Sequence, residues 1–384
     1  MQVTPLVSLA DVCSRLGISI DALLDVTQHS ARYYTKFERP KRKGGTRTIS
    51  ASIGRLKAFQ RLALDGILSQ FPMPEHVHGC VKGRSAVTNA KLHIKKDVVI
   101  NVDLCDFFNT VSFDTVSEMF AKHFLFDEQA AEVFARLTVV GGGLPQGAPT
   151  SPAIANIAAL ELDASIMRIC REALTSDEFT YSRYVDDITI SGGARLVELL
   201  AKIYETIEQH GFVPNTKKTT ILRRTNRQSV TGVVVNDHPS VPKTILRRVR
   251  QQIYYCNKFG IKEHCESLGI PPGRFLKNVR GYIGYISRVK PDLAQEFATA
   301  LEEAVMDMEQ TPEELMLKRL KQMIDKDQIA SFYYERDVRH QVAPVSITVD
   351  AERELLLKAF QLIPEQGWRY FSINMIRNLK LVES

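Results

Sequence analysis

Tyr181-Ser-Arg-Tyr-Val-Asp-Asp-Ile-Thr-Ile-Ser191 is the stretch on which the reading of this 384-residue chain turns. Two runs rich in aromatic and β-branched residues flank an adjacent pair of acids. That pattern predicts a tight hairpin with Asp186 and Asp187 at its tip. Neighbouring carboxylates repel, so a fold that keeps two of them on one turn does so at a cost unless a cation neutralises them. An acid pair in a turn is also ordinary hairpin chemistry. Its meaning rests on the company it keeps.

Upstream, Val98-Val-Ile-Asn-Val-Asp-Leu104 predicts a strand that delivers Asp103 near its carboxyl end, just ahead of Asp106-Phe107-Phe108. Asp103, Asp186 and Asp187 then form a set of carboxylates on strand ends and turns, which suits hard divalent ions such as Mg²⁺. Two such ions roughly 4 Å apart activate an attacking hydroxyl and stabilise a leaving pyrophosphate. Further out, residues 141–149 form a Gly- and Pro-rich loop, followed by an apolar helix from about 151 to 169. Residues 196–211 read as helix and 230–236 as a strand. From Pro242 onward the pattern predicts helices, broken around Pro271-Pro272-Gly273 and at Pro312. Toward the N-terminus, one or two short helices over 9–27 surround Gly17. Lys41-Arg-Lys-Gly-Gly-Thr-Arg-Thr-Ile49 predicts a basic hairpin turning at Gly44-Gly45, and an apolar stripe predicts a helix over 54–68.

The net charge of +6 matters less than its distribution. Residues 31–61 carry ten Lys/Arg against one acid, 217–227 carry five against none, and 241–290 carry eleven against two. Each block alone is an ordinary solvated face; three in succession suit a polyanion held along a path. After Lys290 the sign reverses, seventeen acids to eleven bases, which makes that end a poor candidate for the same surface. No run of about 18 apolar residues occurs, so no membrane span is expected. Asp11 and Arg15 interrupt the weak apolar stretch near the start, so no secretory signal is expected either. The six cysteines show no Cys-x-x-Cys spacing. Neither a zinc site nor a disulfide framework is therefore expected, and the cytoplasm is the expected compartment.

Tyr184-Val-Asp-Asp187 resembles the Tyr-x-Asp-Asp box of reverse transcriptases, and Val102-Asp103 with Phe107-Phe108 resembles their first metal-binding motif. Leu144-Pro-Gln-Gly-Ala-Pro-Thr-Ser-Pro152 is similar to the family's Pro-Gln-Gly loop, and Gly211-Phe-Val-Pro-Asn-Thr-Lys-Lys-Thr219 to its Gly-Phe…Asn-x-x-Lys-Thr motif. These motifs stand in the family order over roughly residues 31–290. Asn89-Ala-Lys-Leu-His93 and Val230-Thr-Gly232 resemble signatures of the bacterial retron branch; Cys80 departs from it, standing where a Phe is usual.

The resemblance implies an α+β right-hand polymerase with fingers, a ferredoxin-like antiparallel palm, a helical thumb and a C-terminal extension. The implied bounds are an N-terminal helical extension (1–30), fingers (31–92 with 112–150), palm (93–111 and 151–236), thumb (237–308) and a helical and mixed extension (309–384) for partner or self-association. It implies two Mg²⁺ ions on Asp103, Asp186 and Asp187, with the Leu104 carbonyl as an extra ligand. Lys218 would protonate departing pyrophosphate or bind phosphate. Lys43 and Arg47 would grip the triphosphate of a dNTP, Phe108 would lie beneath its sugar, and Gln146 with Gly147 would abut the nascent base pair. Asn89, His93 and Thr231 would bind structured RNA, and Arg247, Arg248, Arg250, Lys277 and Arg280 would meet its backbone. The implied function is synthesis of branched RNA–DNA, the msDNA, from a guanosine 2′-hydroxyl of a cognate noncoding RNA. A role in antiphage defence would bring an effector partner and higher-order assembly. Two alternatives stand beside it: a reverse transcriptase of the group II intron or diversity-generating kind, and an RNA- or msDNA-binding scaffold for a toxic effector.

Overall fold

The computed structural model describes residues 6–40, 44–175, 178–309, 312–326, 328–334, 338–349 and 355–382. Lys41, Arg42 and Lys43 lie outside the described residues. The chain divides into two compact units, Met1–Pro242 and Lys243–Ser384.

In the first unit, β1 (Tyr34–Pro40) and β2 (Thr46–Ser52) form the basic antiparallel hairpin. The remaining strands are β3 (Val98–Cys105), β4 (Phe179–Tyr184), β5 (Asp187–Gly192), β6 (Val213–Pro214), β7 (Thr220–Arg223), β8 (Ser229–Val230) and β9 (Val233–Val234). The main sheet runs β4-β5-β3-β6, and β7 also pairs with β3. β3 is therefore flanked on both sides, and Val98, Val99, Ile100, Val102 and Leu104 are all buried. A strand enclosed in this way reads as a near-continuous apolar run, as it does here. The expected helix after the Gly/Pro loop is two helices, Ser151–Ala158 and Leu160–Ala173, because Ala159 leaves the helical region at φ −88°, ψ 2°. The N-terminal helices Leu9–Leu16 and Ile20–Gln28 are separated at Gly17, whose φ of 65° ends the first.

Two local expectations are corrected. Residues 230–236 do not form one strand. Thr231 and Gly232 adopt φ of 47° and 86°, turning β8 back on β9 as a two-residue hairpin. At the acid hairpin, Tyr184 pairs with Asp187, so the turn is Val185-Asp186 and Asp187 opens β5.

The second unit begins with helices Lys243–Phe259, Ile261–Leu268, Pro272–Ser287 and Pro291–Glu309. Their cores follow helical spacing, as at Val249, Ile253 and Cys256, and at Phe275, Val279, Ile283 and Ile286. The tail is mixed, and its strands depart from the run of helices expected from Pro242 onward. After the helix Pro312–Asp325 come β10 (Ala330–Tyr334), β11 (Val338–Val349), β12 (Leu355–Ile363), β13 (Gly367–Ser372) and β14 (Arg377–Leu381). They form an antiparallel sheet in the order β13-β12-β11-β10-β14. The period-two signal was there to read: Ala330 and Phe332 point inward, as do Leu357 and Ala359.

Candidate active site

The register of β3 against β5 sets Asp103 directly opposite Asp187, and the β4–β5 turn carries Asp186 alongside. The turn is stitched to β3: Leu104 N–H donates to the Asp186 carbonyl at 3.0 Å. From the far side, the loop between β6 and β7 brings two more groups to Asp103. Asn215 Nδ2 donates to Asp103 Oδ2 at 3.0 Å, and the Lys218 ammonium reaches the same oxygen at 2.9 Å. Asn215 N–H also donates to the Asp103 carbonyl at 2.7 Å. Asn215 was not singled out from the sequence, although it is the Asn of the quoted Asn-x-x-Lys-Thr stretch.

Charge repulsion is written into the site. Partial desolvation, and then the Asp103 carboxylate, raise the Asp186 pKa. Asp187 is pushed up to about 6, first by desolvation and then by Asp186 and Asp103, although its side chain keeps an exposed face where solvent screens part of the repulsion. The hydrogen bond to Asp103 raises the pKa of Lys218 and keeps it protonated. Three mutually repelling carboxylates offering only hard oxygen donors fit a divalent cation. Among the described residues no three such side chains are drawn together closely enough to hold an ion by themselves. The arrangement is open, and Lys218 supplies its positive charge.

A cleft of about 710 Å³ lies above Asp103, Leu104 and Asp186, with Arg47, Phe108 and Gln146 in its walls. The hairpin wall is fixed by the Ser50 N–H, which donates to the Gln146 carbonyl at 2.9 Å. Gly147 sits at φ 132°, where a Cβ would come within 3.0 Å of the Ser50 carbonyl, so only glycine lets loop and hairpin approach. Phe107 is buried against Phe212, with centroids 5.4 Å apart, whereas Phe108 lines the cleft. Asp187 opens instead onto a neighbouring hollow of about 460 Å³, shared with Tyr184, Asn101 and Thr231. The Thr231 hydroxyl is tied to the Ala86 carbonyl at 3.0 Å.

Behind the acid turn lies a buried polar cluster. Arg183, fully buried, donates to Asp163 from Nε at 2.7 Å and from Nη2 at 2.8 Å. Its Nη1 reaches Asn156 Oδ1 at 2.9 Å and the Val185 carbonyl at 3.2 Å. Tyr181 donates to Asp163 at 2.6 Å, and His76 lies 3.3 Å from the same carboxylate. Burial works to raise the Asp163 pKa, but Arg183, His76 and Tyr181 outweigh it and leave it at about 2. This positioning apparatus was also unread in the sequence. Its signal was an arginine within an apolar strand and an aspartate on the buried face of an apolar helix.

The expected RNA contacts of Asn89 and His93 are corrected by burial, since neither has any surface open to solvent. His93 Nδ1 and Nε2 each lie 2.7 Å from a hydroxyl, those of Ser191 and Ser182, so the ring braces the back of the sheet. Desolvation, then Lys96 and His78, lower its pKa to about 3, and it stays neutral. A histidine depressed in this way contributes stability that is fully present above pH 6.5 and is lost as pH falls toward 3. Below pH 6.5 its contribution should weaken by about 1.4 kcal/mol per pH unit. His93→Gln is expected to flatten the urea midpoint between pH 6.5 and 5 while leaving RNA affinity unchanged. An unaltered midpoint profile would return His93 to a functional role.

In the second unit Arg247, Arg248 and Lys277 are exposed, with Arg248 over the Tyr282 ring at 5.5 Å. Two expected phosphate contacts are engaged within the bundle: Arg280 pairs with Glu302 at 2.9 Å, and Arg250 lies 6.0 Å from the Phe297 centroid.

Residues 39–270 match the family described as reverse transcriptase (RNA-dependent DNA polymerase). The chain is similar to the retron Mx162 reverse transcriptase of Myxococcus xanthus, 32% identical over 341 residues covering 78% of this chain and 67% of that protein. It is 32% identical to the retron Mx65 reverse transcriptase of the same organism, over 75% of this chain and 70% of the relative. Against the retron Ec86 reverse transcriptase of Escherichia coli the identity is 29%, over 74% and 89%.

Proposed function

The chain belongs to the reverse transcriptase family, within its retron group, and is an RNA-directed DNA polymerase of right-hand α+β fold; on that premise we propose that it starts DNA from the 2′-hydroxyl of a guanosine in its own noncoding RNA and yields branched msDNA. The observation that carries the reading is that Asp103 and Asp186 lie at the floor of a cleft walled by the basic β1–β2 hairpin, with Asp187 set directly opposite Asp103 by the strand register.

The family works with divalent metal, and we assign Mg²⁺ to Asp103, Asp186 and Asp187, with the Leu104 carbonyl beside them. When bound, such ions polarise the attacking hydroxyl and offset charge on the departing phosphates. The residues of the chain do the rest. Arg47 forks onto phosphate oxygens, and Lys218 supplies a proton to pyrophosphate as it leaves. Phe108 closes the space beneath the sugar where a ribonucleotide would carry its extra hydroxyl. Gln146 and Gly147 set one edge of the base-pair pocket. Thr231, beside Asp187, contacts the RNA near the primer end, and Arg247, Arg248 and Lys277 meet its phosphates.

On this reading the β1–β2 hairpin belongs to the fingers, the β3–β7 sheet is the palm and the helices from Lys243 are the thumb. Work in the cytoplasm and a part in antiphage defence with an effector protein complete the proposal. No helix among the described residues is long and apolar enough to cross a membrane.

The test is to purify the protein with its own noncoding RNA locus and digest the bound nucleic acid separately with RNase and DNase. A DNA strand that keeps a short RNA branch after RNase is the expected product. Linear cDNA would point to another prokaryotic reverse transcriptase, and RNA alone, without dNTP incorporation, to a scaffold.

A further inference from the structure

The sheet at the end of the chain has one face that, among the described residues of its own unit, lies outside the core cluster. The helix Pro312–Asp325 packs on the opposite face through Leu320, over Phe332, Leu357 and Phe371. The register sends the alternate residues outward. Lys358 stands opposite Tyr370 and Phe360 opposite Trp368. Tyr333 lies between Arg339 on β11 and Arg377 on β14, and Ser331 pairs with Lys380.

Trp368 is 56% exposed and Tyr370 57%. The Phe360 and Trp368 rings meet edge-on, with centroids 5.5 Å apart, and Lys358 Nζ is 5.4 Å from the indole centroid. The charge of this face is one-sided as well. Arg339, Lys358, Arg377 and Lys380 are the charged residues that the register sets on this face, and all are basic; Arg369, opposite the core residue Ala359, belongs to the other face. The acids that make this end of the chain negative in composition fall outside the strands.

We propose that this face is a binding platform for unpaired RNA. Open aromatic rings stack bases without demanding a sequence, and cations spaced among them neutralise the connecting phosphates. RNA is favoured over DNA because Ser346 and Thr348 share the face, opposite Lys358 and Leu356, and offer partners to a 2′-hydroxyl that DNA lacks. The platform requires only that the enzyme copies RNA; it does not depend on a branched product. It would hold single-stranded portions of the template.

Trp368 is the only tryptophan in the chain, so its emission reports on this face alone. The full-length protein is titrated with an unstructured RNA of roughly 15 nucleotides, a length within the span such platforms cover, while a saturating hairpin primer–template occupies the polymerase site. Saturable, salt-sensitive quenching of the tryptophan is expected. Tyr370→Ala with Lys358→Ala should weaken that quench about tenfold and leave dNTP incorporation on a short primed template unchanged. The proposal is overturned by an emission that RNA does not alter, or by equal or tighter quenching with DNA of the same sequence. A spectrum that shifts with protein concentration alone would identify the face as a contact between copies. Equal loss of synthesis in the double variant would make its role structural.

Discussion

Asp186→Ala is expected to reduce DNA synthesis by about a thousandfold or more, equivalent to roughly 4 kcal/mol of lost transition-state stabilisation, while affinity for template RNA stays within about twofold. The argument is local. What holds the turn to the sheet is the Asp186 main-chain carbonyl, bonded to the Leu104 N–H, and alanine keeps that carbonyl. Among the described residues the side chain bonds only the main-chain N–H of Asp186 itself. Asp103 raises its pKa and it in turn raises that of Asp187, so its removal relieves repulsion. A loss of activity therefore cannot be blamed on unfolding, and a thermal midpoint equal to or above that of the parent should accompany it. Single-turnover incorporation of one dNTP, read beside filter binding of the RNA, separates chemistry from binding. Synthesis that survives the substitution would remove Asp186 from the reaction.

The second large effect lies behind the turn and acts on stability. Asp163→Ala leaves the Arg183 guanidinium, fully buried, without its counter-charge. Breaking one side of a buried ion pair costs about 3–5 kcal/mol, because the abandoned charge has no solvent to turn to. For the first unit that corresponds to a fall in thermal midpoint of about 10 °C or more. Removing both charges with shape-matched apolar residues, Asp163→Leu with Arg183→Met, should recover much of that loss. The recovered protein should still synthesise DNA slowly, since Val185, a β-branched residue held at φ 60°, loses the Arg183 bond to its carbonyl. Full recovery of synthesis in the double variant would mean that Arg183 does no more than fill the core.

The parts of the molecule legible in the sequence are those where local chemistry and tertiary need agree. Gly44 and Gly45, both at positive φ, lie in the link between β1 and β2, and Asp103 rides an apolar strand to near its carboxyl end. The Tyr181–Ser191 run folds as a hairpin because its aromatic and β-branched residues suit strands on either side of a polar turn. What escaped reading was set by tertiary context. His93 carries the same side chain whether it meets RNA or two serine hydroxyls behind a sheet; only burial separates the cases. Arg183 and Asp163 lie far apart along the chain, and nothing at either position announces the other. The strands from Ala330 follow directly on the helical pattern of 312–325, which carries the helix reading forward, although Ala330 with Phe332 and Leu357 with Ala359 alternate as strand residues do. Thr231-Gly232 had been read as strand interior, where a positive-φ turn was the better use of that pair.

Gly79 has a consequence of its own. The stretch His76–Gly79 runs beside the end of β4: His78 N–H donates to the Arg183 carbonyl at 2.8 Å, and Asn156 Nδ2 donates to the Gly79 carbonyl at 2.7 Å. At position 79 even a methyl group would sit 2.5 Å from the Val185 main-chain nitrogen. Two distant positions are thereby bound to a shared mutational fate. Any side chain gained at 79 has to be answered by a reshaped backbone at 185, and the residue that follows 185 is Asp186.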